Sequence, residues 1–148
     1  RGPQGTPHPE RLDELMLPAH RHGITPILLF EYYTRWHPRL HGHARWFAIG
    51  KTYAERFYPN SDWLTSKGIQ DWGIRYYSAI NEPTWKSNNP TPIPANDYAT
   101  AVEGLADGVH AVSKNLMVNP GGWIEGSLHR REHAGGHRRR VQRVQRRL

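Results

Sequence analysis

Apolar residues follow two patterns along this chain, short unbroken runs and stripes at helical spacing, and the two alternate. Residues 24–30 (ITPILLF) have no polar alternation beyond Thr25, the pattern of a parallel strand covered on both faces. Pro26 is tolerated there only near the strand's start. Residues 74–80 (IRYYSAI), rich in the strand formers Ile and Tyr, predict a second strand, and residues 116–118 (LMV) a short third.

Helical stripes precede and separate these runs. Pro9 suits a first helical turn, after which Leu12, Leu15, Met16 and Ala19 share a face, with Gly23 as the stop. Pro18 lies inside that stripe and predicts a kink or an early end. Residues 44–57 place Phe47, Ile49 or Gly50, Tyr53, Ala54 and Phe57 near helical spacing, and Pro59 closes the segment. Asn60-Ser61-Asp62 caps a further short helix through Lys67, which Gly68 terminates. The clearest helix is 97–114, where Tyr98, Val102, Leu105, Val109 and Val112 recur at spacings of 4, 3, 4 and 3. Asn96 or Asp97 is its expected cap. Two stretches read as loops: the aromatic, His-rich segment from 32 to about 43, and the Pro-rich segment 84–94.

The order helix, strand, helix, strand, helix, strand predicts an α/β fold of parallel strands joined by right-handed crossovers. An open doubly wound sheet and a (β/α)8 barrel share this order. No strand is followed by a Gly-rich phosphate turn, whereas polar and aromatic residues cluster after all three, which favours the barrel. A complete barrel usually needs about 250 residues, so a chain of 148 is expected to hold only part of one.

Composition agrees with a packed domain: 36% of residues are hydrophobic, and 6 Trp and 7 Tyr offer walls for a cleft. The formal charge of +7 changes the picture only at the C-terminus. Residues 127–148 hold eight Arg and one Glu, the whole of the excess, while the 12 basic and 12 acidic residues of 1–126 cancel. The chain is therefore divided into a partial barrel domain, 1–126, and an Arg-rich tail, 127–148, expected to be disordered. As a selected feature the tail would bind nucleic acid or anionic lipid. Its basic residues are all Arg, it has no aromatic for base stacking, and it begins abruptly, which also fits GC-rich coding sequence read in a shifted frame. The absence of Cys removes disulfides, thiolate metal sites and Cys nucleophiles. No apolar run approaches the roughly 20 residues of a membrane helix, so no membrane partner is expected.

In parallel α/β folds, residues at the carboxyl ends of strands converge on one rim. Here those ends supply Glu31-Tyr32-Tyr33, Asn81-Glu82-Pro83 and the segment from Asn119 to Trp123. Cleaving a glycosidic bond takes one carboxylic acid to protonate the leaving oxygen and a second carboxylate to attack or to activate water. Burial against rings raises a Glu pKa toward the first task. Tyr and Trp faces stack on the apolar sides of sugar rings, whose hydroxyls seek Asn, Glu and His.

YYSAINEPTW, at the end of a strand in a βα repeat, resembles the strand-four signature of the clan of retaining (β/α)8 glycoside hydrolases that includes cellulases, β-xylosidases and β-galactosidases. The match lies in Asn81-Glu82-Pro83. The resemblance implies a TIM-barrel fragment spanning about strands three to five, with ITPILLFEYY similar to strand three and LMVNPGGW to strand five over roughly residues 8–126. It implies Glu82 as general acid/base and Asn81 as the anchor of the sugar 2-hydroxyl. Glu31, Tyr32, Trp85, Asn119 and Trp123 become candidate substrate-binding residues, with a carbohydrate as substrate and no cofactor. The clan's nucleophile is a Glu at the end of strand seven. This chain departs from the pattern by stopping before strand six, so it is expected to lack that second carboxylate.

Plainer readings stand beside these. Asn-Glu-Pro also arises where Pro ends a strand and Glu is solvated. Glu31 is equally a strand-end charge, and Tyr32, Tyr33, Trp85 and Trp123 are equally packing residues. His37, His41 and His43 form an HxxxHxH spacing that would suit zinc on a helix, but Pro38 and Gly42 oppose a helix there, and no metal is expected. The alternative from another functional class is a small basic protein acting on nucleic acid through its tail.

Overall fold

The computed structural model describes residues 7–30, 42–81 and 93–122. Three parallel strands, β1 (Ile27–Leu29), β2 (Tyr76–Ser78) and β3 (Met117–Asn119), form one sheet in that spatial order. Ile27, Tyr76 and Met117 lie in one row across it, and Leu29, Ser78 and Asn119 in another. The strands are shorter than the apolar runs predict. Bonds from Phe30 N–H to Ser78 O at 3.0 Å and from Ala79 N–H to Asn119 O at 3.0 Å carry the ladder just past their ends.

Before the sheet, a 3-10 turn (Pro9–Leu12) leads into α1 (Asp13–Arg21). The expected early end does not occur: α1 runs through Pro18 to Arg21. Its face is narrower than the stripe suggests, with Met16 buried and Leu15 exposed. α2 (His43–Phe57) joins β1 to β2, followed by α3 (Asp62–Ser66), whose cap is as expected: Ser61 Oγ accepts from Leu64 N–H at 3.3 Å. α4 (Ala95–Val112) joins β2 to β3. It begins after Pro94 rather than at Asn96 or Asp97, and it has no side-chain cap bond.

One side of the sheet carries the core. Leu28, Tyr77 and Val118 face it, with Met16, Trp46, Phe57, Ile74, Leu105 and Val109 in the same apolar cluster. Phe30 sets its ring edge-on to Tyr53 and Trp46 of α2, at centroid distances of 5.2 and 6.2 Å. The two long helices approach backbone to backbone. A Cβ at Gly50 would lie 2.5 Å from Leu105 O, and one at Gly104 or Gly108 would run into the carbonyls of His43 or Phe47. Arg56 of α2 then clamps the N-terminal helix, donating from Nε and Nη2 to the two oxygens of Asp13 at 2.8 and 2.5 Å. Its guanidinium also sits 5.1 Å from the Trp63 ring centroid.

The other side of the sheet corrects an expectation. Strand periodicity of two turns Ile27, Leu29, Tyr76 and Met117 away from the helices, and they are 65%, 40%, 37% and 50% exposed. The apolar run of 24–30 is therefore covered on one face only. The fold is mixed helix and strand around a small parallel sheet.

Candidate functional site

Parallel pairing in register brings the carboxyl ends of β1, β2 and β3 to one edge, as the sequence predicts. Two of the candidate residues fall among the described ones, Asn81 just after β2 and Asn119 at the last position of β3. Glu31, Tyr32, Glu82, Trp85 and Trp123 lie outside the described residues, as do Tyr33, Pro83 and the tail 127–148.

Asn81 and Asn119 are joined through one turn. The Asn119 Oδ1 accepts from Ser78 Oγ at 2.7 Å and from its own turn's Gly121 N–H at 2.9 Å. The next amide, Gly122 N–H, donates to Asn81 Oδ1 at 3.1 Å. Gly121 holds φ at +85°, a left-handed conformation that suits glycine, and a Cβ there would strike the Ile80 carbonyl. The β3 turn is thus folded down onto the end of β2. Ser78 is almost fully buried beneath it, while Asn119 is exposed and Asn81 half-buried.

The bonds fix which way each carboxamide points. A backbone N–H only donates, so the atom facing it is the amide oxygen, and each NH2 is turned away from the turn. Among the described residues neither NH2 meets an acceptor. On the helix-covered face of the same strand, Tyr77 is fully buried and donates to Ile74 O at 3.3 Å, and burial pushes its phenol well above the ordinary tyrosine range.

Sequence reasoning missed Ser78, Gly121 and Gly122. The signal for the turn was present, since Asn-Pro-Gly-Gly favours an Asx-type reversal. The partnership of Ser78 with Asn119 depends on register between strands 41 residues apart, which no local pattern encodes.

No group of three or more His, Asp or Glu side chains among the described residues could hold a metal ion. Of the three spaced histidines only His43 is described, and its Nε2 lies 2.7 Å from Asp107 Oδ2 on α4. No helix among the described residues is long and apolar enough to cross a membrane. Comparison with protein-family models, curated proteins and solved structures found no match.

Proposed function

We propose that this chain carries the acid/base half of a retaining glycoside hydrolase, built on part of a (β/α)8 barrel. Glu82 is the acid/base, and Asn81, the residue before it, anchors a sugar hydroxyl. One observation carries the reading: at the carboxyl edge of a parallel sheet, Asn81 is tied by its oxygen to Gly122 N–H at 3.1 Å and so offers its NH2 to an acceptor. A sugar hydroxyl oxygen is such an acceptor. The exposed sheet face, with Ile27, Tyr76 and Met117 in one row, supports the barrel part of the reading, because the inner wall of a closed barrel is lined by large apolar side chains.

In this mechanism Glu82 gives its proton to the leaving oxygen while a second carboxylate attacks the anomeric carbon, forming a glycosyl ester. Glu82, now ionised, takes a proton from water as that water cleaves the ester, which restores both carboxyl groups. The Asn81 NH2, bonded to the sugar hydroxyl, holds the ring in position through both steps. The nucleophilic carboxylate is not part of the acid/base half proposed for this chain; the clan carries it at the end of strand seven.

Binding and turnover test different parts of this. Titration of the 148-residue chain with methyl glycosides, followed by amide NMR shifts, should show binding at the strand ends that weakens in Asn81→Ala and in Glu82→Ala. Hydrolysis of an aryl glycoside should stay at background. Shifts confined to other surfaces would sink the carbohydrate reading, and turnover abolished by Glu82→Gln would show that the second carboxylate is present after all.

A further inference from the structure

We propose that the β3 turn is a positioning device for Asn81, with Gly122 as its decisive residue and the Ser78–Asn119 pair as its base. The inference rests on the reading of Asn81 as a hydroxyl anchor, and extends it to Gly122 and Ser78, which no resemblance assigns.

Three observations combine. First, the turn is itself anchored: Ser78 Oγ and Gly121 N–H both donate to Asn119 Oδ1, at 2.7 and 2.9 Å, so the chain after β3 is held against β2. Second, the amide that this anchoring places beside Asn81 is a donor, at 3.1 Å. The carboxamide could be turned over only by facing its NH2 toward that N–H, two donors together, so its orientation is set by the backbone. Third, the space beside Gly122 is taken by the Asn81 carboxamide. A Cβ at Gly122 would lie 2.6 Å from Asn81 Oδ1, with its next neighbour, Asn81 Cγ, at 3.7 Å.

The two glycines of the turn therefore differ. Gly121 is held by backbone geometry, since its φ is +85° and a Cβ would strike the Ile80 carbonyl. Gly122 is not among the residues of positive φ, and the one obstacle to a side chain among the described residues is the carboxamide itself. Alanine at 122 displaces the end of a flexible side chain and spares the backbone. It should shift Asn81 and leave the fold intact, whereas alanine at 121 should strain the turn.

The device selects ligand chemistry as well as geometry. With its oxygen committed, Asn81 recognises a lone pair and not a hydrogen-bond donor. Aspartate at 81 would keep the bond from Gly122 and lose the NH2, so Asn81→Asp should fail to bind where a merely structural partner of the turn would be preserved.

The test compares the 148-residue chain with Gly122→Ala, Asn81→Asp and Gly122→Ala/Asn81→Ala, using a panel of methyl glycosides (gluco, galacto, manno and xylo) and their 2-deoxy counterparts. Side-chain amide resonances of Asn81 provide a readout that needs no ligand. We expect Gly122→Ala to shift those resonances while helix amides stay in place. It should lower affinity for a 2-hydroxy glycoside about fivefold to tenfold, the worth of one hydrogen bond, and leave the 2-deoxy affinity unchanged. It should add nothing in the Asn81→Ala background. Unmoved Asn81 resonances in Gly122→Ala, or equal losses for both sugars, would overturn the positioning role. If the unmodified chain binds none of the glycosides, the carbohydrate reading fails, and the resonance comparison alone decides whether the turn orients Asn81.

Discussion

Tyr77, at the centre of the middle strand, is fully buried with its hydroxyl on Ile74 O, and Tyr98 on α4 is buried as well. Burial disfavours the phenolate, raising Tyr98 to about 12 and Tyr77 further. The folded-state values thus lie above the unfolded value of roughly 10. The stability that the neutral phenols contribute is then complete below pH about 10 and is lost as pH rises toward the folded values, at about 1.4 kcal/mol per pH unit for each tyrosine. Urea midpoints taken from pH 9 upward should fall along that slope, and Tyr77→Phe should remove one tyrosine's share of it. A slope unchanged in Tyr77→Phe would mean that the phenol titrates freely. Residues of this kind are legible in sequence only as strand formers: IRYYSAI predicts a strand, but nothing local says that Tyr77 is inside while Tyr76 is exposed. The same gap separates Asn81 and Asn119, both found as strand-end candidates, from Ser78, whose part depends on cross-strand register.

At the scale of elements, the pairing of α2 with α4 holds the sheet's single cover in place. The apolar stripe of α4 predicts its burial and includes Tyr98, Leu105 and Val109 correctly, yet the closest approach runs along Ala101, Gly104 and Gly108, all buried. Small residues weaken a helical stripe, so the tightest helix contact among the described residues gives the faintest pattern. Gly108→Ala should press a methyl group into the Phe47 carbonyl and cost about 1–3 kcal/mol, read as a lower urea midpoint at unchanged slope. A neutral result would mean that the helices separate without penalty. Asp13→Ala tests the second contact of α2, its clamp on α1. This pair is partly exposed, so the expected loss is smaller, about 1 kcal/mol. Arg56 should then lose the carboxylate that raises its own pKa.

For the whole molecule, the sheet's uncovered face decides behaviour in solution. An unbroken apolar run looks the same in sequence whether one face of a strand is covered or both, which is why ITPILLF predicts double cover and the structure provides it on one side. Closure of a barrel would reconcile the two, since further strands would enclose Ile27, Leu29, Tyr76 and Met117 as an inner wall. Without that closure the face and the outer edges of β1 and β3, unpaired among the described residues, present apolar surface and backbone to solvent, the combination that promotes association. The chain should bind an apolar fluorescent dye and grow in mass with concentration. Ile27→Thr with Met117→Thr keeps strand-forming side chains in the exposed row while removing much of its apolar surface. Both signals should drop in this double variant, with stability changed by no more than about 0.5 kcal/mol because neither residue contributes to the buried core. Undiminished association would assign the self-contact to another surface, and a large loss of stability would mean that this face is already covered in solution. If a longer chain adds strands that close the sheet, the same double variant in that context should instead destabilise, by the several kcal/mol expected for removing apolar volume from a closed core. The change of sign, from harmless and solubilising in the 148-residue chain to damaging in the longer one, is the outcome that barrel closure requires.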